Sequence, residues 1–229
     1  MIGIGGKIAV GPDPGRNLLL QQFAVEAGPD WAPRFNIAPT QSVPIVRMNS
    51  EGVRELVLLR WGLIPSWAKD PAIGNRMINA RSETVAEKPS FRSAFKRRRC
   101  LVPADGYYEW QKTDAGKLPY YIRFDDDQPF AMAGLWESWR SGHEDAVQSF
   151  TIITTDANES TCQVHDRMPV IVEPHDYPMW LDPDFQESDS LQSLLHPYAG
   201  DELRLDRVST LVNNPRNDDP QCIVPCPSE

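Results

Sequence analysis

"CLVPADGYYEW", residues 100–110, decides the fold. Cys100, Leu101 and Val102 form an apolar run, Pro103 to Gly106 carry turn signals, and Tyr107 opens a second run rich in aromatic residues. This pattern predicts a buried strand, a turn and a second strand. Cys100 at the head of the buried strand is expected to be an inert core thiol. Outward from this hairpin-like unit the chain repeats the same grammar. "VPIVRM" (43–48), "RELVLLRWG" (54–62), "PYYIRFD" (119–125), "FAMAGLWESW" (130–139), "SFTIITTD" (149–156) and "MPVIVE" (168–173) are short runs rich in β-branched and aromatic residues. Each is bounded by Gly, Pro, Asp or Asn, which predicts strands. Helical spacing is confined to "GRNLLLQQFAVEAG" (15–28), which ends at a glycine followed by proline, and to a short late stretch, "DSLQSLLHPYA" (189–199). The expected class is α+β, mainly β around a curved sheet or barrel with a few peripheral helices.

The composition fits a packed soluble domain: of 229 residues, 41% are hydrophobic and 24% charged. The 21 prolines and 14 glycines are spread along the chain and mark no linker. No apolar run approaches the ~18 residues that span a bilayer. The N-terminus lacks the basic-then-apolar layout of a signal peptide, so a cytoplasmic protein without membrane contact is expected. Four cysteines, Cys100, Cys162, Cys222 and Cys226, lack the CxxC spacing of a redox or zinc site and are too few for a disulfide scaffold in a chain this long.

Charge is distributed unevenly. The formal net charge is -9, yet the segment from Arg76 to Arg99 holds six arginines and two lysines against Glu83 and Glu87, a local balance of +6 that leaves -15 elsewhere. Such asymmetry is the footprint of a local polyanion site on a protein that otherwise repels nucleic acid. The run "FKRRRC" (95–100) sits inside this segment. Trp61 and Trp67, in "RWGLIPSWAKD", lie just before it; exposed indoles beside cations suit stacking of unpaired bases, while core packing explains at least one of the two equally well.

Three stretches have the residue types of a reaction site. "INARSET" (78–84) places Asn79, Arg81 and Glu83 at alternating positions, hence on one side of an extended chain. Glu109, between bulky aromatics, is either a desolvated carboxyl fitted for proton transfer or a strand glutamate facing water. "CQVHDRMP" (162–169) adds His165 and Arg167; a lone histidine is more often a structural residue than a catalyst.

Together "RFNIAPTQ" (34–41), "WGLIPSW" (61–67), "INARSET", "PADGYYEW" (103–110) and "HDRMP" (165–169) resemble, in order and approximate spacing, the SRAP family, the SOS-response-associated peptidase or abasic-site-processing proteins. The resemblance covers about residues 16–217 and implies one SRAP-type domain across 1–229 with an irregular C-terminal tail. It also implies a positively charged groove for single-stranded DNA containing abasic sites, a monomer, and no metal or diffusible cofactor. By motif match, Glu109 assists ring-opening or imine formation, and His165 moves protons at the deoxyribose and its 3′ phosphate. Asn36 orients the reacting amine or carbon, while Asn79 and Arg81, with Arg167 as a further candidate, hold phosphate.

One departure matters for the chemistry. The family's amino-terminal cysteine closes a thiazolidine link with the aldehyde of an abasic site, but this chain opens "MIGIGG", with Ile2 in place of that cysteine and Ile4 in place of an arginine. The expected remainder is an imine from the α-amine of Met1, permitting β-elimination without a stable crosslink. Two further classes stay open: a single-strand binder without catalysis, and a cysteine-type peptidase, which lacks a thiol at position 2. Cys162, three residues before His165, reaches the site only if a turn brings it round.

Overall fold

The computed structural model describes residues 7–10, 15–141 and 145–227, without the side chains of 15–18. Ile2 and Ile4 lie outside the described residues.

Thirteen strands are described: β1 (Lys7–Val10), β2 (Arg34–Ile37), β3 (Ser42–Met48), β4 (Arg54–Trp61), β5 (Asn79–Arg81), β6 (Arg99–Ala104), β7 (Gly106–Thr113), β8 (Gly116–Phe124), β9 (Phe130–Trp139), β10 (Val147–Asp156), β11 (Arg167–Pro169), β12 (Ile171–Val172) and β13 (Leu203–Arg207). The described helices are short: α1 (Gly15–Gln22), α2 (Arg92–Arg97), α3 (Tyr177–Leu181) and α4 (Ser188–Ser193). The mainly β reading therefore holds. No helix among the described residues is long and apolar enough to cross a membrane.

Five strands close a barrel. β10 pairs β4, β4 pairs β3, β3 pairs β6, β6 pairs β9, and β9 returns to β10. All six residues of β6 are buried, as its continuous apolar run requires. The β4–β10 pairing is parallel and ends at Trp61–Phe150; β5 then runs parallel to the continuation of β10, with Asn79 opposite Ile152 and Arg81 opposite Thr154. β11 pairs the other side of the same end of β10, with Arg167 opposite Asp156. One end of the barrel thus gathers "INARSET" and "HDRMP", 84 residues apart in sequence at the Glu83–Arg167 contact.

A second, antiparallel sheet has the order β13-β8-β7-β1-β2. The turn at Asp105 moves the chain from the barrel into this sheet, and the Asp105 amide donates to the Ala9 carbonyl at 2.9 Å. Gly106 is required here, because a Cβ would lie 2.5 Å from the Tyr121 ring. Along β7 the side chains alternate. Tyr107 faces the main core, edge-on to Phe130 with centroids 6.4 Å apart, whereas Tyr108 joins Ala9, Tyr121, Val208 and Val212 on the opposite face. The segment after β13 covers that opposite face and buries Val208, Val212 and Cys222.

The first helix ends earlier than its apolar spacing predicts. Ala24 adopts φ 51°, and the Phe23 and Val25 amides bond back to the Leu19 and Leu20 carbonyls at 3.0 and 2.8 Å. This left-handed closure turns Val25 into the core.

Candidate active site and nucleic-acid interface

Glu109 and Gln111 share one face of β7 by strand alternation. Glu109 is 2% exposed, so of its two readings the buried one holds. The Gln111 amide donates to the Gln163 carbonyl at 2.9 Å and accepts from the Tyr120 hydroxyl at 3.3 Å. It thereby ties the Glu109 strand to the loop that carries His165.

That loop, between β10 and β11, is closed by the Ala157 amide on the Asp166 carbonyl at 3.0 Å. Inside it Asn158 accepts from the amide and hydroxyl of Thr161, and the Thr161 carbonyl accepts from the His165 amide at 3.1 Å. The His165 ring is largely buried; its Nδ1 accepts from the Arg167 amide at 3.0 Å and lies 3.1 Å from Asp166 Oδ1. A cleft of about 220 Å³ opens beside it, lined by Trp110, Gln111, Lys112, Cys162 and His165 among others. Cys162 is exposed and its thiol donates to the Glu159 carbonyl at 3.2 Å. A turn does bring it to the histidine's cleft.

The guanidinium of Arg167 is occupied within the protein. It holds both carboxylate oxygens of Glu83, the second at 3.0 Å, together with Asp156 Oδ1 and the Thr154 carbonyl, each at 2.7 Å. The hydrogen bonds from Arg167 hold the Glu83 carboxyl below its ordinary pKa. Phosphate reaches this fork only by displacing Glu83. Arg81, two residues before Glu83, is exposed, and its guanidinium makes no hydrogen bond among the described residues. Asn79 is half-buried on the same short strand.

The two tryptophans separate cleanly. Trp61 is fully buried, stacks on Phe150 at 6.2 Å and donates its indole N–H to the Ile78 carbonyl. Trp67 is 56% exposed, beside Pro89. The basic run divides in the same way. Arg99 is buried and donates to the carbonyls of Phe95, Lys96, Trp180, Asp182 and Phe185, which locks α2 and the chain after α3 onto the barrel. Burial draws its pKa down to about 10. Arg98 pairs Glu137 at 2.8 Å, while Lys96 and Arg97 are exposed at the last turn of α2.

Asn36, on β2, is fully buried. Its Nδ2 donates to the carbonyls of Val212, Asn214 and Asn217, and its amide donates to Asp218, which also binds Arg34. The side-chain oxygen is buried with no partner among the described residues. Asn36 thus fastens the C-terminal segment to β2. That segment reaches the cleft through Asn213, whose Oδ1 accepts from Trp110 Nε1 at 2.7 Å. Among the described residues no group of three or more His, Cys, Asp or Glu is placed to hold a metal ion.

Gln111, Lys112 and Asp156 were absent from the sequence reading of the site. Gln111 was reachable by extending the Glu109 alternation by one more step along the strand. Asp156 carried no such signal, because an aspartate closing a strand is an ordinary boundary residue.

The profile of the family described as "SOS response associated peptidase (SRAP)" matches residues 6–215. The chain is 44% identical over 205 residues to "Abasic site processing protein YoqW" of Bacillus subtilis (strain 168), covering 89% of this chain and 90% of that one. It is 33% identical over 225 residues to "Abasic site processing protein HMCES" of Xenopus tropicalis, covering 85% and 66%. A crystal structure of a protein from Bacteroides thetaiotaomicron superposes with a TM-score of 0.74 at 32% identity, over 82% of each chain.

Proposed function

Since the chain belongs to the SOS response associated peptidase (SRAP) family, we propose that it processes abasic sites in DNA and engages them on a single strand, as a monomer. Kinship with relatives named for abasic site processing carries this reading. The buried carboxylate of Glu109, tied through Gln111 to the His165 loop, supports it as a reaction site rather than a bare binding surface.

In this reading the exposed cations Arg81, Lys96 and Arg97 meet the phosphate backbone, Asn79 assists Arg81, and Trp67 stacks an unpaired base. The ring-opened deoxyribose presents an aldehyde at C1′. An amine of the chain adds to it and water leaves, forming an imine. Glu109 takes a proton from C2′, the C3′–O bond breaks, and the 3′ phosphate departs with its electrons. His165, donating from Nε2, hydrogen-bonds the departing phosphate. Water then hydrolyses the unsaturated imine and frees the amine. On this path strand cleavage is the outcome; a thiol that traps the imine as a thiazolidine would give a lasting crosslink instead.

The test is incubation with an abasic single-stranded oligonucleotide, with and without borohydride, followed by denaturing gel and intact mass. Cleavage together with a band that appears only on reduction supports the imine path. A band stable without reductant shows that a thiol still closes the link. Retention without adduct or cleavage shows a binding protein.

A further inference from the structure

Glu83 belongs to the "INARSET" stretch, yet the reaction above gives it no part. Its carboxylate grips the Arg167 guanidinium from the far side of β10, and Arg167 is also the residue whose backbone amide bonds His165. These contacts form one chain, from the Glu83 carboxylate through the Arg167 side chain and amide to His165 Nδ1.

The chain ends on a contested atom. Nδ1 of an imidazole has a single in-plane position for either a proton or a lone pair. The Arg167 amide, 3.0 Å away, requires the lone pair and so puts the neutral ring's proton on Nε2. Asp166 Oδ1, 3.1 Å away, favours the opposite, a proton on Nδ1. The two neighbours differ in rigidity. Arg167 stands in β11 opposite Asp156, with its side chain tied to Glu83, Asp156 and Thr154; the Asp166 side chain is 76% exposed and well solvated. The fixed donor decides the tautomer.

We propose that Glu83 is a positioning residue: by holding Arg167 it keeps the Arg167 amide on His165 Nδ1, so that the neutral imidazole carries its proton on Nε2 and faces substrate as a donor. Selecting the tautomer of a reactive histidine through a hydrogen bond at its other nitrogen is a general device, and its loss slows catalysis with little change in overall geometry. The role of the donor rests on the proposed reaction; the tautomer does not.

Glu83→Gln keeps the shape and removes the charge that clamps Arg167, and Arg167→Lys keeps the charge and removes the fork. Long-range 15N–1H spectra at pH 8, with His165 assigned by its loss in His165→Gln, report which nitrogen bears the proton. The expected wild-type result is a protonated Nε2, with both variants shifting toward protonated Nδ1. Single-turnover cleavage of the abasic oligonucleotide is expected to fall about tenfold in both while binding of the oligonucleotide is retained. A wild-type ring protonated on Nδ1, or an unchanged tautomer in folded Glu83→Gln and Arg167→Lys, overturns the proposal. A tautomer shift in a protein that cleaves no abasic DNA leaves Glu83 as the positioning residue and removes the reaction instead.

Discussion

Gln111 donates its amide N–H to the Gln163 carbonyl at 2.9 Å, and through that bond the strand of Glu109 and the loop of His165 hold a fixed separation. Gln111→Leu removes the bond at a partly exposed site, so it costs stability only about 1 kcal/mol. Its larger effect is on rate. Cleavage of an abasic single strand is expected to fall about tenfold with affinity nearly constant, because orientation and not contact is lost. Parallel binding and single-turnover measurements check this; a loss of affinity equal to the loss of rate places Gln111 on the DNA instead.

The basic segment separates into cations for DNA and cations for the fold. Arg81→Gln is expected to weaken binding of single-stranded DNA about tenfold and to reduce the salt slope by ~0.7, more than Arg97→Gln does. Both variants should melt like the parent. Arg99→Met leaves five carbonyls, two buried and three partly buried, without this donor and is expected to cost ~3–5 kcal/mol of stability. Salt titrations and thermal melts separate the classes, and equal salt slopes for Arg81→Gln and Arg97→Gln would sink the ranking.

How far the sequence reveals all this depends on the range of the interaction. Strands such as β6 and β9 are legible because local apolar runs and their Gly, Pro and Asp boundaries are local signals. The division of "FKRRRC" is partly legible, since Arg99 adjoins a buried strand while Lys96 sits beyond it. Arg167 was readable as a cation near phosphate, but its occupancy by Glu83, 84 residues away, depends on β5 and β11 flanking the same strand. Asn36 is half legible for the same reason: its motif is local, but the carbonyls that take its side-chain amide lie 176–181 residues further on. The early end of α1 at Gln22 is hidden because a non-glycine residue, Ala24, takes the left-handed turn that follows it.

Trp67→Ala removes an indole that is 56% exposed and whose N–H reaches the Pro89 carbonyl at 3.4 Å, so the melting temperature is expected to change little. Binding of single-stranded DNA is expected to weaken by ~1–3 kcal/mol, the worth of one stacked base. Trp61→Ala is the contrast. Its indole is fully buried on Phe150, and its loss is expected to cost ~3–5 kcal/mol of folding stability. Urea unfolding alongside oligonucleotide titration checks the pair; unchanged DNA affinity in Trp67→Ala assigns the exposed indole some other role.

Lys7 supplies a dependence on alkaline pH. Its amine is buried beneath the C-terminal segment, where it donates to the Val212 carbonyl. Burial pulls its pKa below the ordinary lysine value, with nearby Cys222 opposing in part. Folding therefore favours the neutral amine. That favourable contribution is complete above the unfolded value of ~10.4 and is lost as pH falls through the lower folded value. Lys7→Met abolishes the titration, and the Val212 carbonyl keeps a donor in Asn36 Nδ2 at 3.1 Å. Between pH 7 and pH 10 the wild type is thus expected to gain stability relative to Lys7→Met, measured by urea unfolding at each pH. A stability difference constant over that range would mean that Lys7 keeps an ordinary pKa and that the segment over it opens to water.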